Sequence, residues 1–153
     1  MKTRSRGSLQ EPLLRLTGYV LRRASTATLA ELSQRLAPLE LRPIDVTLLL
    51  LLDAAPQVTH SEVAETLGLR RPNLVPIVAA LEKRELLERK RIDFRSEGLV
   101  LTGKGRALLG RALQVISLHE EQLIERVPEQ LRPMVLPILM ALWGYPVEPP
   151  ASP

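Results

Sequence analysis

The chain of 153 residues contains no cysteine, which excludes disulfides, thiolate metal centres and cysteine redox sensing. Histidine is nearly as scarce, with only His60 and His119. No Walker-type phosphate loop is present, and Gly103-Lys-Gly105 is too short to cradle a phosphate. Nucleophile–base pairs and metal clusters therefore have almost nothing to be built from, so neither catalytic residues, nor a metal, nor a cofactor is expected. His119 stands beside Glu120 and Glu121 in a helical stretch and is expected to be a solvated or interface residue. Long apolar runs are also missing. The longest leucine run, Leu48 to Leu52, cannot span a bilayer, and the basic start Met1-Lys-Thr-Arg-Ser-Arg6 leads into no signal-peptide core. A cytoplasmic protein with no membrane partner is expected. One Phe, one Trp and two Tyr argue against a β-rich sandwich and for packed helices.

What is present is leucine, alanine and unevenly placed charge. Apolar residues make up 45% of the chain, enough for one domain of ordinary size with a real core. The net charge is +4, and its placement matters more than its sum. The segment from Pro43 to Gly68 carries Asp45, Asp53, Glu62 and Glu65 but no Lys or Arg. The following stretch concentrates Arg70, Arg71, Lys83, Arg84, Arg89, Lys90, Arg91 and Arg95. Such local positive charge is the footprint of a surface that meets a polyanion.

Hydrophobic periodicity predicts a long amphipathic helix from Pro12 to about Leu36, with Gly18 as its weak point, and a second, apolar on nearly all sides, from Ile44 to Ala54. Thr59-His-Ser-Glu62 has the form of a capping box and places a helix start near His60. That helix stops at Gly68, which readily adopts the left-handed conformation that ends helices. Another runs from Pro72 to about Arg84. Two short helices about a glycine turn make a helix-turn-helix, with Ala64 small where the helices cross and Leu74 and Ile77 seating the second on the first. Leu87 to Ile92 and Glu97 to Leu101 then switch to strand character around Asp93-Phe-Arg-Ser96, a wing. Thr102 caps a further long helix, and Pro128, Pro133 and Pro137 divide or kink the last one before Trp143 and Gly144.

These residues resemble the multiple-antibiotic-resistance regulator (MarR) family of bacterial transcription factors. The likeness rests on SEVAETLGLRRPNLVPIVAALEKRELLER from Ser61 to Arg89, on DFRSEGLVLTGKGRALL from Asp93 to Leu109, and on GYVLRRAS in the first helix. It implies a mainly α fold: a winged helix-turn-helix with a small β-hairpin wing over 40–102, flanked by dimerisation helices over 8–38 and 103–144. Residues 145–153 are expected to form a disordered tail. It further implies a homodimeric, ligand-responsive repressor that binds a pseudo-palindromic double-stranded DNA operator. The implied effector is an aromatic acid, a phenol or a coenzyme A thioester. A winged-helix module that recruits another protein is the alternative.

Arg70, Arg71, Pro72, Asn73 and Pro76 occupy the leading edge of the implied recognition helix, where Arg can pair with guanine and Asn with adenine. Thr59, His60 and Ser61 open the preceding helix, where backbone N–H groups and short side chains suit a phosphate. Lys83, Lys90 and Arg91 suit phosphates better than bases. Arg95 matches the family's minor-groove arginine and Asp93 the acid that orients it, which agrees with the affinity of a guanidinium for a narrow, negative groove. The wing is about two residues shorter than is usual in the family. Tyr19, Arg22, Arg23 and Thr47 are candidates for lining an effector cleft. Pro72 and Pro76 raise a local conflict: Pro76 inside a helix removes a hydrogen bond, so a helix starting at Pro72 with a distorted first turn is expected.

Overall fold

A computed structural model of the chain describes residues 10–55, 57–91 and 97–147. The chain divides into two compact units, Met1–Val115 and Ile116–Pro153, with the boundary inside one long helix.

In the first unit, a 3₁₀ turn at Leu13–Arg15 precedes helix α1, Thr17–Leu36. The predicted single helix from Pro12 is therefore interrupted at Leu16, which is extended. The break puts Gly18 in the first turn of α1, away from the helix interior, where its backbone freedom costs most. A 3₁₀ turn, Ala37–Leu39, follows, and Glu40 ends it in the left-handed conformation (φ 53°). Helix α2, Pro43–Ala54, starts with proline at its first position, where the missing N–H has no partner to lose. Asp45 is buried, and Arg42 satisfies its carboxylate. The Arg42 backbone N–H donates to Asp45 Oδ2 at 2.8 Å, and its guanidinium donates to both carboxylate oxygens, at 3.0 and 2.6 Å. This carboxylate raises the pKa of Arg42. Leu48, Leu49 and Leu52 are buried but Leu50 is 45% exposed, so α2 is less enclosed than its composition predicts.

The capping box forms as expected. Glu62 accepts from the Thr59 N–H at 2.7 Å, and Thr59 Oγ1 accepts from the Glu62 N–H at 3.3 Å, starting helix α3, His60–Thr66. Gly68, at φ 62°, turns the chain, and the Leu69 N–H donates back to the Ala64 carbonyl at 2.8 Å. Helix α4 spans Arg71–Lys83, with Arg70 at its N-cap. It starts one residue earlier than expected and continues through Pro76, so the proline does not interrupt it. The expected distorted first turn is absent: the Arg70 carbonyl accepts from both the Asn73 and Leu74 N–H groups, at 2.9 and 3.3 Å, as the Arg42 carbonyl does from Asp45 and Val46 at the start of α2, a shared bond common at helix ends.

Strands β2, Leu87–Arg91, and β3, Glu97–Leu101, form the predicted antiparallel hairpin, with Leu87 opposite Leu101 and Arg91 opposite Glu97. A short strand β1, Val58–Thr59, adds to the other edge of β3, in the order β1-β3-β2. The sheet therefore has three strands. Thr102 caps helix α5, Gly103–Glu125, by accepting the Gly105 N–H at 2.9 Å. A Cβ on Gly105 would stand 1.9 Å from the Leu86 carbonyl oxygen, so the glycine there serves close packing. Leu36, Leu48, Leu49, Leu74, Leu99 and Leu109 are among the residues of the core, each no more than 2% exposed.

The second unit contains the end of α5, a 3₁₀ turn at Glu129–Leu131, and helix α6, Arg132–Trp143, which runs through Pro137. The predicted division thus falls before α6. Gly144, at φ 81°, ends it, and the Tyr145 N–H donates to the Met140 carbonyl at 3.0 Å. Trp143 stacks on Tyr145 with centroids 5.7 Å apart. No residue of α6 is buried. His119, expected to be solvated or at an interface, is only 2% exposed in the single chain. Among the described residues no helix is long and apolar enough to cross a membrane.

Candidate nucleic-acid interface

The amphipathic register of α4 sorts its residues cleanly. Leu74, Ile77 and Val78 point into the core, while Arg70, Arg71, Pro72, Asn73 and Pro76 are exposed at its N-terminal end. Pro72 is the second helical residue, where it costs no hydrogen bond, and its ring limits the backbone freedom of the leading edge. The Arg71 guanidinium donates to the Ser61 hydroxyl, ten positions earlier in sequence. This contact puts the start of α3 and the start of α4 on one surface. A guanidinium already held in place loses little freedom when it meets a base or a phosphate.

Around this edge the predicted residues take different parts. Thr59 is committed to capping α3. His60 is half-buried, and its pKa is lowered first by desolvation and then by the nearby cations Arg89 and Arg71, against the opposing pull of Glu82 and Glu97. It is thus held towards its neutral form. Lys90 is exposed and pairs with Glu88 at 2.9 Å, and Arg91 is exposed at the end of β2. Lys83 occupies the last position of α4, about 18 Å along the helix axis from Arg71 at 1.5 Å per residue. Asp93 and Arg95 lie outside the described residues, between the paired ends Arg91 and Glu97.

One residue absent from the predicted set organises the wing. Arg89 on β2 donates through Nε to both carboxylate oxygens of Glu82 on α4, at 3.2 and 3.3 Å, and approaches Glu97 at 4.0 Å. The strand pair is thereby tied to the helix whose other end is the leading edge. The sequence signal was the basic run itself, but the partner lies across a turn and on another element.

The four effector candidates come together only in part. The Arg22 guanidinium lies over the Tyr19 ring, 5.5 Å from its centroid, a cation–π geometry. Arg23 is exposed on the same helix, whereas the Thr47 hydroxyl donates to the Pro43 carbonyl one turn back, at 3.0 Å. Among the described residues no group of three His, Cys, Asp or Glu side chains gathers to hold a metal ion.

The arrangement is an exposed edge of cations and an amide, carried on a helix, with a small basic hairpin tied beside it. Solved structures share the fold that carries it. The transcriptional repressor CouR bound to a 23-mer DNA duplex is 39% identical to the chain, with a TM-score of 0.83 over 88% of this chain and 96% of that one. CouR bound to p-coumaroyl-CoA is 37% identical, with a TM-score of 0.78 over 92% and 98%. The Mycobacterium tuberculosis MarR family protein Rv2887 in complex with salicylic acid is 25% identical, with a TM-score of 0.68 over 82% and 95%. No protein-family model matches the chain, and no curated protein matches it.

Proposed function

The chain belongs to the MarR family of winged helix-turn-helix transcriptional regulators, and on that footing we propose that it is a ligand-responsive repressor that binds a specific double-stranded DNA operator as a homodimer. The observation that carries this is the leading edge of α4: Arg71 pre-set by Ser61, flanked by exposed Arg70 and Asn73. In a major groove, Arg can engage the O6 and N7 of guanine, and Asn the N6 and N7 of adenine. Lys90 and Arg91 on the wing supply phosphate contacts, and the family resemblance gives Arg95 the minor-groove contact. Repression needs no catalytic group, and none is assigned.

The effector is an organic anion with an aromatic part, either free or as its coenzyme A thioester. CouR with p-coumaroyl-CoA and Rv2887 with salicylic acid support this class. Tyr19 and Arg22 offer a ring and a cation to such a molecule. Release from DNA follows when the ligand and the operator favour different spacings of the two recognition helices, because a ligand shifts an equilibrium only by its difference in affinity between states.

The test is operator selection from a random duplex pool, followed by fluorescence anisotropy. Arg71→Ala should weaken the selected operator about 10- to 100-fold, as expected for losing one bidentate base contact, while leaving the oligomeric state unchanged. With roughly six to ten phosphates neutralised by a dimer, log affinity should fall with log salt at a slope of about −5 to −9. A salt-insensitive complex, or unchanged binding by both Arg71→Ala and Arg95→Ala, would replace this function with protein recruitment.

A further inference from the structure

The positive charge of the first unit is not confined to the leading edge. At the opposite end of α4, a groove of about 440 Å³ is lined by Glu40, Arg84, Leu86, Lys104, Ala107, Leu108 and Arg111. Lys104, Ala107, Leu108 and Arg111 follow the i, i+3, i+4, i+7 spacing of one face of α5. Two cations therefore bracket an apolar pair, about one helical turn from it on either side. Arg84, from the end of α4, closes the side and is itself held: its guanidinium donates to the Leu39 carbonyl at 3.2 Å and to the Glu40 carbonyl.

The acids present do not neutralise this charge. Lys104 meets Glu85 at 2.9 Å, but both side chains are largely exposed, and such a pair contributes little. Glu40 reaches Arg84 only at 3.9 Å and is itself exposed. Arg111 makes no ion pair among the described residues. Three cations against Glu40 and Glu85 leave a charge of about +1, which attracts a phosphate monoester. Arg84 follows α4 at its C-cap, about 20 Å along the axis from Arg71, so the leading edge and this cluster sit at opposite ends of the helix. The volume lies within the range of small-molecule sites.

We propose that this groove is a second ligand site, one that takes a phosphate monoester carried on a planar apolar body, as in a nucleotide. The body lies on Leu86, Ala107 and Leu108, and Lys104 and Arg111 swing onto the phosphate. The chemistry is shared by a free nucleotide and by the nucleotide end of a coenzyme A thioester, and only the second source rests on the effector class proposed above. A thioester held this way would use the groove for its nucleotide while its acyl part engages another surface.

Calorimetry on the full chain tests this with four probes: adenosine 3′,5′-bisphosphate, coenzyme A, AMP and inorganic phosphate. The expected result is saturable binding of the bisphosphate that weakens at least tenfold in Lys104→Gln/Arg111→Gln, with an unchanged melting temperature. Preference for the bisphosphate and coenzyme A over AMP identifies the thioester as the source, and equal binding of AMP identifies a free nucleotide; both support the site. Inorganic phosphate binding as tightly as the nucleotides would remove the apolar floor from the account and overturn it, as would no binding or binding unaffected by the double variant. Operator affinity of the unliganded protein is measured alongside. If the double variant shallows the salt slope by about 2, the two cations contact DNA and the proposal fails while the repressor function stands. If no operator is bound at all, the repressor function fails while nucleotide binding is still measured.

Discussion

The two units differ in whether they bury an apolar core of their own. In Met1–Val115, Leu36, Leu48 and Leu49 are wholly buried, whereas in Ile116–Pro153, Leu136 is 65% and Trp143 79% exposed, and α6 buries nothing. The first unit buries a leucine core of its own, although Leu14, Leu16 and Leu29 stay at least half exposed. The second has the composition of a core without one, and an apolar face of that kind in a protein of this size marks a surface meant for another chain. A second copy of this chain is the occupant that a homodimeric regulator requires. The contrast separates one part that folds on its own contacts from one whose apolar residues make sense in an assembly.

The largest expected effect comes from breaking the self-contained side. Gly105→Ala drives a Cβ against the Leu86 carbonyl, and overpacking against backbone should cost about 3 kcal/mol. The melting temperature should then fall by about 6 to 12 °C; an unchanged melt would show that α5 can slide away from the wing without penalty. Breaking the other side should leave the first unit folded. Leu136→Asp with Leu139→Asp should convert a dimer to a monomer in sedimentation and weaken operator binding about 100-fold or more through lost bivalency. Persistence of the dimer would locate the interface away from α6.

A smaller effect concerns the wing. Glu82→Gln removes the charge that holds Arg89, and a several-fold loss of operator affinity with an unchanged salt slope is expected if Arg89 positions the hairpin. A slope reduced by about 1 in Arg89→Gln would make it a phosphate contact instead.

The smallest effects are titrations, read from denaturation as a function of pH. Desolvation and nearby cations hold the His60 pKa below its ordinary 6.5, so the unfolded chain binds the proton first. Stability should therefore decline as pH falls below that value, down to the lowered folded pKa, and His60→Gln should flatten that segment. The hydrogen bonds from Thr59 lower the Glu62 pKa below 4.5. Its contribution is present above that value and lost as pH falls through the folded pKa, and Glu62→Gln should remove this second decline.

Features made by neighbours in the chain were legible in the sequence. The capping box of Thr59 and Glu62, the turn at Gly68 and the Thr102 cap each depend on bonds spanning three to five residues, and residue type decides such contacts. The inward row of Leu74, Ile77 and Val78 follows from helical period alone. The hairpin from Leu87 to Leu101 was legible for the same reason, since its strands are joined by a short connection.

What was not legible joins residues distant in sequence. The strand at Val58–Thr59 is too short to show a period and exists because β3 offers it a free edge. Pro76 argued for a distorted start, yet the packing of Leu74, Ile77 and Val78 holds α4 continuous through it. Buried contacts of this kind can outweigh one lost hydrogen bond.

The sequence by itself determined the helix-turn-helix, its wing and its basic edge, because local hydrogen bonds and periodicity need only the order of residue types. Only the tertiary structure decided that Arg71 is held by Ser61, that Arg89 binds Glu82, that Gly105 must be glycine because of Leu86, and that Arg84, Lys104 and Arg111 share a groove. Those pairings depend on where separate elements cross, which is set by how the whole core packs rather than by any one stretch of chain.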